Sequence, residues 1–103
     1  MSVAQTILEQ LGGNRFAVMT GAKAFIGNGD TLSFRLPSTP RYVKKGINHV
    51  RITLDPSDTY TVKFFKVRGA RIKMIVEEYD GIYSDGLREL FTRVTGLYTS
   101  FGG

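Results

Sequence analysis

The sequence predicts an α+β fold, an antiparallel five-stranded β-meander flanked by an N-terminal and a C-terminal helix on one face. Three observations lead there. Apolar residues recur at helical spacing near both ends, at Ala4, Ile7, Leu8 and Leu11 and again at Leu87, Leu90, Phe91 and Val94. Between them, apolar and polar residues alternate over 31–36 and 49–54, which is the period of half-buried strands. Turn-forming sequences, "GNGD" at 27–30 and "DPSD" at 55–58, punctuate the alternation.

The first helix spans 2–11, with Ser2 as its N-cap and Gly12 and Gly13 as a left-handed stop. "RFAVMT" (15–20) reads as the first strand. In "TLSFRL" (31–36), Leu32, Phe34 and Leu36 alternate with Thr31, Ser33 and Arg35. The stretch from 21 to 30 bends the chain, and "AKAFI" within it reads equally as a short helix or a sixth strand. Residues 37–48 form a loop holding Pro37, Pro40, Arg41, Lys44 and Lys45. "HVRITL" (49–54) sets Val50, Ile52 and Leu54 on one face and His49, Arg51 and Thr53 on the other. Pro56 takes the second position of the following turn. "TYTVKFFKV" (59–67) and "RIKMIVEE" (71–78) are the last two strands. "SDGLRELFTRVTG" (84–96) is the second helix, capped by Ser84, with Asp85 near the positive end of the dipole and Gly96 as its stop. A chain of 103 residues without repeats or linkers fits one domain.

Burial sets the expected register of the last hairpin. A three-residue loop, 68–70, opposes Val67 to Arg71, Phe65 to Lys73, Phe64 to Met74 and Val62 to Val76. Tyr60, Val62, Phe64, Ile72, Met74 and Val76 then face the core. Arg35, His49, Arg51, Lys63, Phe65, Arg71 and Lys73 face outward, with Lys66 and Arg68 at the turn end.

Charge is unevenly placed. The net charge is +5. From Arg35 to Lys73 there are ten basic and two acidic residues, and from Met74 onward two basic and five acidic ones. A basic sheet face with an exposed aromatic suits nucleic acid, DNA or RNA, because cations track phosphates while a ring stacks on a base. The residues expected to do this are Arg35, Arg51, Lys63, Phe65, Lys66, Arg68, Arg71 and Lys73, extended by the loop cations Arg41, Lys44 and Lys45. The plainer alternative is an ordinary solvated sheet side, with Phe65 lying under the proline loop.

Several other chemistries lack their residues. Cysteine is absent and His49 is the lone histidine, so no metal site, thiolate or cofactor is expected. No phosphate-cradling glycine motif occurs, and the acidic stretch 77–86 lacks the spacing of a calcium loop. No orienting carboxylate pairs with His49 in the expected register, so the chain reads as a binding protein and not an enzyme. It has no apolar run of membrane length and no secretory leader, which suits the cytoplasm. In the tail, Leu97, Tyr98 and Phe101 either pack back on the core or engage a second copy as a homo-oligomer contact.

Taken together, "ILEQLGGNRFAVMTGAK", "LSFRLP", "INHVRITLDPSDTYTV" and "LFTRVTGLYTS" resemble a family of small uncharacterised proteins carried by bacteriophages, prophages and other mobile elements. The resemblance runs from about Ile7 to Ser100. It implies an accessory role in the cytoplasm of a bacterial host and transfers no functional residue. It also raises an alternative partner, a host defence protein inhibited by direct docking, as an anti-CRISPR or anti-restriction factor would do. The element order is similar to the double-stranded RNA-binding domain. The helix start "SDGLREL" departs from that family's lysine cluster, with Asp85 in its first turn.

Overall fold

The computed structural model describes residues 3–36, 46–68 and 72–97, with the backbone alone for Arg68, Ile72 and Lys73. Helix α1 (Val3–Leu11) and helix α2 (Asn14–Thr20) come first. Five strands follow: β1 (Lys23–Asn28), β2 (Thr31–Arg35), β3 (His49–Leu54), β4 (Tyr60–Arg68) and β5 (Ile72–Ile82). A single 3-10 turn, Ser84–Gly86, leads into helix α3 (Leu87–Thr95). The strands pair antiparallel in sequence order as one sheet. This is the expected α+β meander, with its helices packed on one face.

The meander begins eight residues later than expected. "RFAVMT" is helix α2, not a strand, and "AKAFIGN" supplies β1. The buried residues of α2 are Phe16 and Thr20, four apart, so one helical face meets the core. Gly21 closes α2 in the left-handed conformation, its N–H donating to the Ala17 carbonyl. The Thr20 hydroxyl donates to the Phe16 carbonyl at 2.7 Å and accepts from the Ala22 N–H, which completes the turn into β1. Ser84 is likewise not the cap of α3. Gly86 holds that position and makes no side-chain bond to the helix.

The core lies between the inner sheet face and the helices. Leu32, Phe34, Val50, Ile52, Val62 and Phe64 contribute from the sheet, and Ile7, Leu11, Phe16, Leu87, Leu90 and Phe91 from the helices. Phe34 is its centre. Its ring lies 5.3 Å from Phe16, 5.4 Å from Phe25 and 6.2 Å from Phe91, so one side chain joins α2, β1, β2 and α3. Tyr60 ties α1 to β4 through a 2.6 Å bond from its hydroxyl to Gln10 Oε1. Burial raises the pKa of Tyr60 above the ordinary phenol value.

Gly27 permits a close approach of α1 to β1. A Cβ on Gly27 would stand 2.7 Å from the Ala4 Cβ, inside any tolerable contact. Gly27→Ala is therefore expected to cost about 1–2 kcal/mol by forcing α1 off β1. Urea unfolding would check this, and an unchanged midpoint would show that α1 is not seated on Gly27. The β3–β4 turn keeps its expected form. The Asp58 N–H donates to the Asp55 carbonyl across Pro56 and Ser57, and Asp58 takes the left-handed conformation at φ 63°.

The last hairpin corrects the expected register. Arg68 pairs with Ile72, Val67 with Lys73, Lys66 with Met74 and Phe65 with Ile75, and residues 69–71 lie outside the described residues. A bulge between Phe64 and Phe65 then sets Phe64 against Glu77, Lys63 against Glu78 and Val62 against Tyr79. Tyr60, Val62 and Phe64 are buried as expected, and Val76 is half-buried. Met74 is on the inward side yet 58% exposed. The helices make their main contacts with β1, β2 and one another, so they do not roof this end of the hairpin. Tyr79 and Ile82 pack on the core in its place. No helix among the described residues is long and apolar enough to cross a membrane.

Candidate nucleic-acid interface

Residues directly opposite in the ladder share a face, so the register sorts every side chain. Leu32, Val50 and Phe64 belong to the core, which turns the alternate positions to the open face. Three rows cross that face. Lys23, Arg35, His49, Phe65 and Ile75 form one. Ile26, Ser33, Arg51, Lys63 and Glu78 form the second. Asn28, Thr31, Thr53 and Thr61 form the third, a hydroxyl row in which Thr31 and Thr53 are hydrogen-bonded at 3.1 Å and Thr61 donates to Asp55 at 2.7 Å.

The cations make a diagonal track. Lys23 opposes Arg35, Arg35 is diagonal to Arg51, and Arg51 opposes Lys63. One cation comes from each of β1 to β4, and at about 4.8 Å per strand the track spans roughly 15 Å. Lys23 and Arg35 are exposed, while Arg51 and Lys63 are half-buried along their stems. The track stops at β5, where Glu78 stands opposite Lys63.

Phe65 is not the exposed stacking ring that the sequence suggested. It is 4% exposed. The His49 ring meets it edge-on with centroids 5.6 Å apart, and the Arg51 guanidinium carbon lies 5.6 Å from its centroid. The cation–π contact with Arg51 contributes about 0.5–1 kcal/mol. Lys66 also departs from the open face. It pairs with Met74 on the inward side, and its stem runs beside Gly46, where an added Cβ would meet Lys66 Cε at 3.2 Å.

The structure thus brings Arg35, Arg51 and Lys63 together and separates Lys66 from them. Arg41, Lys44, Lys45 and Arg71 lie outside the described residues, as do the side chains of Arg68 and Lys73 and the tail residues Tyr98 and Phe101. Leu97 is half-buried against the core. Lys23 escaped sequence reasoning because "AKAFI" was ambiguous. The "GNGD" turn placed just before a strand was the signal that its upstream partner had to be a strand too.

A separate depression of about 260 Å³ sits where β5 meets α3, lined among others by Tyr83, Asp85, Glu89 and Arg93. Its two carboxylates make it a poor host for a polyanion. No family model, curated protein or solved structure matches the chain.

Proposed function

We propose that the open face of the sheet binds nucleic acid through its phosphates with little sequence preference. The supporting observation is the track Lys23, Arg35, Arg51 and Lys63, four cations on four adjacent strands at side-chain spacing. Ser33 and Thr53 flank it with hydroxyls able to donate to phosphate oxygens. Among the described residues no element projects from this face to enter a groove, so base edges are expected to go unread. Burial of Phe65 removes the stacking contribution that would favour single strands. Single- and double-stranded oligonucleotides are therefore expected to bind with similar affinity.

An accessory role in a mobile element belongs to the same proposal and rests on the sequence resemblance alone. The test is titration of labelled oligonucleotides across a salt series. Four phosphate contacts give a slope of log K against log salt of about −3 to −4 on duplex and about −2 to −3 on single strands. A flat salt response, or affinity weaker than about millimolar in low salt, would remove the proposal. Nuclease-resistant partners in a pull-down from bacterial lysate would favour docking on a protein in its place.

A further inference from the structure

Strand β5 is the longest strand among the described residues, with 11 residues. None of its described side chains is buried. Met74 and Ile75 are 58% and 52% exposed. It ends the sheet, and no strand among the described residues pairs with its outer edge. A long edge strand with exposed apolar side chains is a template for another strand. Its charge is polar along its length. Glu77, Glu78 and Asp80 occupy the second half, while the first half holds Lys73 and lies beside Lys66 and Arg68 of β4.

From these features we infer that β5 pairs antiparallel with β5 of a second copy, forming one continuous sheet about a two-fold axis. Antiparallel self-pairing sets the acidic half of each strand against the basic half of the other, which no parallel arrangement does. The bulge selects the register. Ile75 opposes Phe65 and Glu78 opposes Lys63, so both are on the open face. Met74 opposes Lys66 and Tyr79 opposes Val62, so both are on the helix face. Facing residues must share a side. That condition is met when Ile75 faces Glu78 of the second copy and Met74 faces Tyr79 of the second copy, a register that also sets Lys73 opposite Asp80 of the second copy. Met74 then covers an aromatic ring, a favourable sulfur contact. The two open faces lie on the same side of the joined sheet, which places two cationic tracks on one surface.

Sedimentation equilibrium of the full chain tests this directly. The expected species has twice the 11.5 kDa mass of the single chain. Ile75→Glu puts a carboxylate opposite Glu78 of the second copy, twice per dimer, and is expected to raise the dissociation constant by about tenfold or more. Ile75→Lys puts an ammonium there and is expected to retain the dimer. Position 75 is exposed in the single chain, so both variants keep the fold, as unchanged melting of the dissociated chain would verify. A chain that stays monomeric up to about 1 mM overturns the inference. So does a dimer that responds alike to both variants or to neither, because its contact would then lie elsewhere, in the tail or on another surface.

Discussion

Phe34→Ala is expected to remove about 3–5 kcal/mol of folding stability. Phe34 is fully buried, and its ring is the shared neighbour of Phe16, Phe25 and Phe91. The loss has three sources. Transfer of a phenyl ring from water contributes about 1.5–3 kcal/mol. The aromatic pairs add about 0.5–1.5 kcal/mol beyond burial. The space left behind cannot close, because rings on three separate elements would have to move together. A domain of this size has about 5–15 kcal/mol in total, so most of the margin of a marginal case would go. The melting temperature would fall by roughly 15–30 °C. Thermal and urea unfolding would measure it. A loss below about 1.5 kcal/mol would mean the helices and sheet are not joined through this ring.

Arg51→Gln with Lys63→Gln is expected to weaken nucleic-acid binding by about 100-fold in low salt and to flatten the salt slope by about 2. The two residues oppose each other on the central strands β3 and β4, so removing both cuts the track in half. Arg88 of α3 is exposed on the helix side, and Arg88→Gln lowers net charge without touching the track. If Arg88→Gln weakens binding as much per charge as the double variant does, overall charge and not the open face is responsible. The double variant is expected to cost little stability, about 0.5–1 kcal/mol, chiefly from the Arg51 contact with Phe65.

Two of the differences between sequence and structure, at "RFAVMT" and at Phe65, have a common physical cause. "RFAVMT" carries β-forming residues, and its helix is held by contacts of Phe16 with Phe34 and Phe91, which lie far away in the chain. Phe65 alternates correctly to the outer side, yet outer did not mean exposed: it is 4% exposed and in contact with His49 and Arg51 of the neighbouring strand. Alternation reports which side a residue faces. It carries no information about what arrives on that side.

Residue order alone carries the α+β class, four of the five strands, both terminal helices and the concentration of positive charge between Arg35 and Lys73. Each of these follows from short-range periodicity and turn chemistry, which a chain expresses wherever it folds. Packing chose the rest: α2 over a strand, the bulge that sets Lys63 against Glu78, the burial of Phe65 and the diagonal that adds Lys23 to the cations. These depend on contacts between residues distant in the chain, whose free energies exceed the small local preferences that a sequence pattern displays.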